Sequence, residues 1–161
     1  MNLIQALERS PKLAELKVSY RRGRPPESRR LGEPWKLTSS TVTAEYLRSV
    51  WNKETLELIE DFLVVCLDSA NQPFGWLRAS SGGLDSASVD PRVIFSVVLQ
   101  VAATGIIVAH NHPSGNVLPS EYDRSITKRL KGASDLLCIR FVDHIILTKE
   151  SQFSFADHSL L

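Results

Sequence analysis

The chain of 161 residues contains two cysteines, Cys66 and Cys138, which form no Cys-x-x-Cys pair. Zinc ligation by cysteine is therefore disfavoured, and we expect both thiols to be reduced and buried as small hydrophobic groups. No apolar run approaches the roughly 20 residues that a membrane-spanning helix needs. The N-terminus lacks the apolar core of a signal peptide. We therefore expect a soluble cytoplasmic protein without a membrane partner.

The composition is that of an ordinary globular domain, but the charge is unevenly distributed. Residues 1–35 hold eight Lys/Arg and four Asp/Glu, a balance of +4, whereas residues 36–161 hold eleven and fourteen, a balance of −3. Five arginines lie in YRRGRPPESRR, residues 20–30, where proline and glycine prevent a continuous helix or central strand. We expect a partly flexible basic N-terminal arm over residues 1–35, with an edge strand near residues 14–20. The arm is either a solvated linker or a contact for nucleic acid or an acidic protein.

A buried strand leads directly into a pair of histidines. The apolar run GIIVA of residues 105–109 ends in the turn cluster of residues 113–116, which is the pattern of a buried strand followed by a loop. Because side chains alternate along a strand, His110 and His112 project to the same side while Asn111 points elsewhere. One metal ion can therefore contact both imidazoles.

A helix predicted to begin near Ser120 carries a third candidate ligand. Apolar residues recur in it at roughly helical spacing. They are Ile126, Leu130, Ala133, Leu136 and Leu137. Asp123 falls in the first turn of this helix. Two imidazole nitrogens and a carboxylate oxygen suit Zn²⁺, and three protein ligands leave the fourth tetrahedral position for water, as in catalytic sites. The sequence therefore predicts a hydrolytic zinc site formed by His110, His112 and Asp123.

Residues 120–123, Ser-Glu-Tyr-Asp, have a second interpretation. They fit a short capping box, in which Ser120 caps the helix and Asp123 reaches back to the backbone N–H. Capping is common and metal sites are rare, but two of the four histidines of the chain lie two residues apart at a strand end. The four positions together favour the metal site, and Ser120 can serve both as cap and in catalysis.

This spacing resembles the signature of the JAMM (MPN+) metalloproteases, H-x-H followed by seven residues, Ser, two residues and Asp. More narrowly, the segments AHNHPSG, PSEYDRSITKRL, VDHIIL and FADHSLL resemble the bacterial RadC family, whose traditional description is DNA repair protein. The resemblance covers residues 36–161 and implies a cytidine-deaminase-like JAB/MPN fold. It does not extend to the helix-hairpin-helix module of longer members, for which we expect no room, and this weakens an inherited DNA-binding role.

The resemblance also implies a catalytic glutamate just before the first core strand, in the context E-x-F followed by an apolar run ending in Leu-Asp. The segment IEDFLVVCLD supplies Glu60 at this position. Hydrolysis needs a base that takes a proton from water and returns it to the leaving amine, and a carboxylate near the ion can do both. The neighbouring carboxylates of Glu57 and Asp61 stay open as alternatives.

Three other segments have both a structural and a functional interpretation. Asp143 and His144 match the RadC pattern, but strand neighbours point to opposite faces, so we expect a structural role, with a hydrogen bond to a metal ligand as the alternative. The Ser-Gly-Gly of residues 81–83 lies either near the active site, as the resemblance implies, or in a flexible turn. His158 is expected on the surface.

The rest of the pattern predicts an α/β fold with a mixed central sheet and flanking helices. Strands are expected over residues 62–67, 74–80 and 139–147, the first two as an antiparallel hairpin. The strand over residues 105–109 completes this set.

Two further helices have clear start signals. Ser39 or Ser40 is expected to cap a helix that runs to about Trp51, and Asp90 with Pro91 to begin another. The buried stripe of the second helix is expected to comprise Val93, Ile94, Val97, Val98, Val101 and Ala102.

The metal site predicts a zinc-dependent hydrolase, and the JAMM resemblance implies that it cleaves an amide or isopeptide bond in a protein or peptide substrate. His110, His112 and Asp123 would hold Zn²⁺, Glu60 would move the proton, and the Ser120 hydroxyl would donate to the developing oxyanion.

Two other function classes stay open. One is a metal-dependent nuclease or nucleic-acid-binding module, favoured by the arginine-rich arm and the DNA repair description. The other is a non-catalytic recognition module of the same fold. Base deamination is disfavoured because its H-x-E and P-C-x-x-C signature is missing.

Overall fold

The computed structural model describes residues 34–82 and 89–161, which contain three helices and five strands. The helices are α1 (Ser40–Val50), α2 (Pro91–Gln100) and α3 (Glu121–Leu136). The strands are β1 (Asp61–Leu67), β2 (Pro73–Ser81), β3 (Gly105–Asn111), β4 (Arg140–Leu147) and β5 (Gln152–Ser154). The arginine-rich segment, the edge strand expected near residues 14–20 and the last glycine of the Ser-Gly-Gly segment lie outside the described residues.

The five strands form one mixed sheet in the order β2-β1-β3-β4-β5. Strands β3 and β4 are parallel, and the other neighbours are antiparallel, including the predicted hairpin of β1 and β2. The α/β fold with a mixed central sheet is therefore confirmed. In this register Phe62 lies opposite His110, so the first residues of β1 and the last residues of β3 lie at the same end of the strands.

The sheet is covered on both faces. All seven residues of β1 and of β3 are buried, as expected of central strands. On one face, strand side chains pack against α2 and α3. This cluster includes Phe62, Val64, Ile106 and Val108 from the strands and Ile94 and Leu130 from the helices. On the other face, strand side chains pack against α1. This cluster includes Leu63, Val65, Ile107 and Ile145 from the strands and Ala44 and Leu47 from the helix. The first face is the one on which His110 lies.

The helix start signals act as the sequence predicts. The Ser39 hydroxyl accepts a 3.3 Å hydrogen bond from the backbone N–H of Val42 at the start of α1. The Asp90 carboxylate accepts from the N–H of Arg92, with Pro91 in the first position of α2. Both caps satisfy backbone donors that have no partner within the helix.

The predicted buried stripe of α2 is partly wrong. Ile94 and Val98 are buried, but Phe95 is also buried, whereas Val93 is 50% exposed and Ala102 is exposed. The helix is therefore rotated relative to the predicted stripe. Phe95, which the predicted stripe left out, belongs to the core.

The predicted apolar face of α3 is wrong at its C-terminal end. Ile126 and Leu130 are buried, but Leu136 is 84% exposed and Leu137 is 38% exposed. The buried side of α3 also contains polar residues, since Thr127 and Ser134 lie on it. The buried side of α3 therefore includes polar positions that apolar spacing does not reveal.

Cys66 is buried as predicted, but the prediction of a buried Cys138 is wrong. Cys138 is exposed and follows the end of α3 with φ of 56°. Its N–H donates to the carbonyl of Asp135, and the N–H of Ile139 donates to that of Ser134. This is the pattern of a Schellman motif, which places Cys138 where glycine is most favourable.

Strand β5 was not predicted, because its three residues are too few to show a pattern. It pairs with the end of β4.

His158, exposed as predicted, stacks on Phe153 with ring centroids 4.1 Å apart. Within residues 34–82 and 89–161, no helix has the length and apolarity needed to cross a membrane.

Candidate metal centre

The two histidines of the strand end point into the same site. His110 is the penultimate residue of β3 and is 1% exposed, and His112 follows the strand. Their Nε2 atoms lie 2.9 Å apart. The ring of Phe62, opposite His110 in the sheet, stacks on its imidazole with centroids 6.0 Å apart. The alternation predicted from the sequence therefore holds across the strand end.

Asp123 approaches the two imidazoles from the first turn of α3. Its Oδ1 lies 3.1 Å from His110 Nε2, and its Oδ2 lies 3.6 Å from His112 Nε2. Ligands at 2.0–2.1 Å from a tetrahedral ion are separated by about 3.3 Å, which falls within the range of these contacts. The three side chains could thus hold one metal ion.

The electrostatics of this group also suit a cation. Burial acts to raise the pKa of Asp123, but the imidazoles of His110 and His112 and the Ser120 hydroxyl outweigh burial and hold that pKa well below its ordinary value. The contact with Asp123 raises the pKa of His112 above its ordinary value, against the opposing effect of burial. A carboxylate that stays ionised and two facing ring nitrogens favour positive charge between them, whether from a proton or a metal ion.

A backbone carbonyl sets the orientation of His112. Its Nδ1 lies 2.6 Å from the carbonyl oxygen of Asn116. A carbonyl only accepts, so Nδ1 carries the hydrogen and the neutral ring has its free lone pair on Nε2, toward Asp123. The turn that returns the chain to His112 contains Gly115 at φ of 82°, a conformation that glycine adopts without strain.

Ser120 and Asp123 form the capping box that the sequence offered as a second interpretation. The backbone N–H and the hydroxyl of Ser120 each lie 2.7 Å from Asp123 Oδ2, and the N–H of Asp123 lies 3.2 Å from Ser120 Oγ. The two interpretations are compatible, because Oδ2 serves mainly the cap and Oδ1 faces His110. The cap therefore orients the carboxylate toward the histidines.

His144 contacts a candidate ligand directly. Its ring is fully buried, and its Nε2 lies 2.8 Å from His110 Nδ1. The pKa of His144 is well below its ordinary value, and burial is the main cause of this shift. Its Nδ1 lies 2.6 Å from the hydroxyl of Thr127, which in turn lies 2.5 Å from the backbone carbonyl of Asp123. The alternative left open by the sequence, a hydrogen bond to a ligand, thus describes His144.

Asp143 points away from this site, as its position next to His144 on β4 requires. Its carboxylate accepts hydrogen bonds from the Ser154 hydroxyl and from the backbone N–H groups of Ala156 and His144. Burial raises its pKa. Asp143 therefore ties the segment after β5 to the sheet.

Glu60 lies immediately before β1 and is half-buried. Its negative charge contributes to the raised pKa of His112, after the larger effects of Asp123 and of the Asn116 carbonyl. Its carbonyl accepts a hydrogen bond from the N–H of Gly82, so the end of the Ser-Gly-Gly segment that the structure describes lies beside it.

The two alternative carboxylates have other partners. Asp61 is 1% exposed, and its Oδ2 lies 3.6 Å from Arg78 Nε. Glu57 is exposed and accepts a 2.9 Å hydrogen bond from the Lys149 ammonium. Glu60, by contrast, contributes to the charge environment of His112.

Asn111 holds the segment that carries Glu60. Its side-chain oxygen accepts a 2.8 Å hydrogen bond from the N–H of Asp61, and its amide nitrogen donates to the carbonyl oxygens of Ile59 and Leu56. The side chain is fully buried. Asn111 thus bonds to the residues on both sides of Glu60.

The sequence alone identified neither Asn111 nor Thr127 as part of this site. Thr127 follows Asp123 by four residues and therefore shares its helix face, a signal that could have identified it. The partners of Asn111 are 50 or more residues away in the chain, and no local pattern reports on such contacts.

Comparison with known proteins identifies the domain. The model of the RadC-like JAB domain matches residues 37–160. A UPF0758 protein of Actinobacillus pleuropneumoniae is 48% identical over 98 residues, 61% of this chain and 44% of the relative. A UPF0758 protein of Fusobacterium nucleatum is 39% identical over 130 residues, 80% of this chain and 54% of the relative.

A third UPF0758 protein, from Trichlorobacter lovleyi, is 33% identical over 150 residues, 93% of this chain and 64% of the relative. The chain spans about half the length of the relatives that it matches, between 44% and 64% in these three. The match covers every element described above, including the strand with the two histidines and the helix with Asp123. The chain belongs to the RadC-like JAB domain family.

Proposed function

We propose that this domain is a zinc-dependent hydrolase that cleaves an amide or isopeptide bond in a protein or peptide substrate. The observation that carries the proposal is the convergence of His110, His112 and Asp123 at contacts of 2.9 to 3.6 Å. His110 and Asp123 are buried, whereas the side chain of His112 is 16% exposed. The site therefore has one side from which a substrate can approach.

Zinc is the metal that best suits these donors. Two imidazole nitrogens and one carboxylate oxygen form the ligand set of several catalytic zinc sites, and three protein ligands leave one tetrahedral position open. A bound zinc ion would polarise a carbonyl and lower the pKa of a coordinated water molecule toward about 7, compared with about 9 for water on aqueous zinc. The ionised carboxylate of Asp123 and the Nε2 atom of His112 are oriented to hold it.

Glu60 is the residue that we assign to proton transfer. Its carboxylate would accept a proton from the attacking water and return it to the leaving amine. Two ion pairs and one electrostatic effect support the choice over its neighbours. Asp61 pairs with Arg78, Glu57 pairs with Lys149, and the charge of Glu60 acts on His112.

Ser120 is the residue that we assign to stabilising the oxyanion. Its hydroxyl now donates to Asp123 Oδ2, but the backbone N–H of Ser120 donates to the same oxygen at 2.7 Å. The hydroxyl can therefore rotate toward a substrate without leaving that oxygen unpaired. A donor placed there would stabilise the charge that develops on the substrate carbonyl oxygen.

Family membership and the ligand set support amide hydrolysis over nucleic-acid hydrolysis. The case for a nucleic-acid substrate or partner rests on the traditional DNA repair description of the RadC family and on the arginine-rich segment of residues 20–30, outside the described residues. The test below distinguishes this class from amide hydrolysis by its substrate.

The test combines zinc quantification with activity measurements on the full chain, using peptide, isopeptide and single-stranded and double-stranded DNA substrates. Glu60→Gln should bind zinc like the wild type and lose turnover, while His110→Ala should lose zinc. Glu57→Gln is the matched control, since it removes a carboxylate three residues away that pairs with Lys149.

Zinc-dependent cleavage of a peptide or isopeptide that Glu60→Gln abolishes and Glu57→Gln retains supports the proposal. Zinc-dependent cleavage of DNA alone would replace it with the nuclease class. Wild-type protein that binds no zinc would leave a non-catalytic recognition module.

A further inference from the structure

A continuous chain of buried polar contacts joins two of the candidate ligands through residues that do not touch the ion site. It runs from His110 Nδ1 to His144 Nε2 at 2.8 Å, and from His144 Nδ1 to Thr127 Oγ1 at 2.6 Å. It ends at the backbone carbonyl of Asp123, 2.5 Å from Thr127 Oγ1. All four residues are at most 4% exposed, so these contacts are shielded from bulk water.

The direction of every hydrogen bond in this chain follows from its end at Asp123. A carbonyl oxygen only accepts, so the single hydrogen of the Thr127 hydroxyl is directed at the Asp123 carbonyl. The Thr127 oxygen must then accept from His144, which puts the hydrogen of the neutral His144 ring on Nδ1.

The same argument continues to His110. With its hydrogen on Nδ1, His144 can only accept at Nε2, so His110 must donate from Nδ1. The Nε2 atom of a neutral His110 then has a free lone pair, directed at Asp123 Oδ1 3.1 Å away and at His112 Nε2. This is the tautomer that a metal ion requires of the ring.

We propose that Thr127 and His144 are positioning residues that hold His110 in its metal-binding tautomer, with the backbone of Asp123 setting the direction. The inference rests on the metal site of the proposed function, but the tautomer is a property of the protein itself. The tautomers of His110 and His112 are fixed by different partners, because the Asn116 carbonyl fixes the tautomer of His112. Partners of this kind typically alter metal affinity 10–100-fold when removed.

The experiment measures the tautomers directly in metal-free protein. Long-range ¹H–¹⁵N correlation spectra of the full chain at a pH where its histidines are neutral distinguish Nδ1–H from Nε2–H rings. We expect Nδ1–H for both His110 and His144. Hydrogen on Nε2 of His110 would overturn the inference.

Variants at Thr127 test the cause. Thr127→Val keeps the shape but removes the hydroxyl, so zinc affinity, measured by competition with a chelator, should fall 10–100-fold, and the Nδ1–H form of His110 should no longer dominate. Thr127→Ser keeps the hydroxyl and should restore both. An unchanged affinity and tautomer in Thr127→Val would overturn the role of this residue.

Thr43→Val is the matched control. Thr43 is buried on α1, and its hydroxyl donates to the carbonyl of Ser39 four residues earlier, as Thr127 does to Asp123. Thr43→Val therefore removes the same kind of hydrogen bond within a helix. Unlike Thr127, Thr43 bonds to Ser39 and not to a histidine, so zinc affinity should not change. If Thr127→Val does not fold, the tautomers of the wild type and Thr127→Ser still decide the question.

The failures of the two proposals can be told apart. Wild-type protein that binds no zinc but shows the expected tautomers would contradict the metal site alone. Protein that binds zinc but has its His110 hydrogen on Nε2 in the metal-free state would contradict the role of Thr127 and His144 alone.

Discussion

The side-chain oxygen of Asn111 accepts a 2.8 Å hydrogen bond from the backbone N–H of Asp61, the residue after Glu60. The amide nitrogen of Asn111 donates to Ile59, the residue before Glu60, at 2.8 Å. Because Asn111 lies between His110 and His112, one residue connects the strand that holds the candidate ligands to the segment that holds the candidate base. These bonds constrain the distance between the candidate ligands and Glu60.

We predict that Asn111→Ala destabilises the fold by about 2–4 kcal/mol, since it leaves buried backbone groups of Asp61, Ile59 and Leu56 without partners. Zinc affinity should change only a few-fold, because His110 and His112 keep their own contacts, whereas turnover should fall as Glu60 loses its support. Urea denaturation and zinc titration check the first two expectations.

Asn52→Ala provides the control for that variant. The Asn52 side chain accepts an exposed hydrogen bond from the N–H of Glu54, and the loss of this bond should cost well under 1 kcal/mol. An Asn111→Ala protein as stable as Asn52→Ala would refute the structural role of Asn111.

Ser120→Ala should show two separable defects. Loss of the cap should lower the free energy of unfolding by about 0.5–2 kcal/mol, and loss of an oxyanion donor should lower kcat by about 10²–10³. Ser39→Ala removes the cap of α1, which packs on the face of the sheet opposite His110, and should show only the stability loss. Normal kcat in Ser120→Ala would leave Ser120 as a cap alone.

Metal affinity should depend on pH because His112 must be deprotonated to bind. Its pKa is raised, chiefly by the contact with Asp123, so below that pKa a proton occupies Nε2 and must leave. Affinity should therefore fall about tenfold per pH unit on the acid side and level off above the pKa. The Asp123 carboxyl has a strongly lowered pKa and should add no dependence near neutrality. Calorimetric titration between about pH 5 and pH 8 measures this, and a pH-independent affinity would contradict it.

Cys138→Gly should stabilise the protein by about 1 kcal/mol. Cys138 has φ of 56° at the end of α3, a conformation that costs residues with a Cβ atom roughly this amount relative to glycine. Cys138→Ala keeps the Cβ atom and should bring no such gain. Equal unfolding free energies for the two variants in urea would show that the backbone conformation is not the cause.

The parts of the site that lie close together in the sequence could be predicted from it. The alternation of the strand places His110 and His112 together, and the helix start places Asp123 in the first turn after Ser120. Each inference needs only the geometry of a single strand or helix.

The contacts that depend on the packing of separate elements could not. His144 reaches His110 across the pairing of β3 with β4, 34 residues away in the sequence, and the register of that pairing is not encoded in either strand alone. The exposed faces of α2 and α3 were mispredicted at Val93 and Leu136 for a related reason, since apolar spacing alone does not fix the rotation of a helix against the sheet.

Diffraction from crystals grown with zinc, recorded on both sides of the zinc absorption edge, tests the metal site most directly. We predict a single anomalous peak per chain within about 2.0–2.2 Å of His110 Nε2, His112 Nε2 and one carboxylate oxygen of Asp123. Crystals that show no peak at this position, or a zinc ion bound elsewhere while these three side chains are unliganded, would contradict the account.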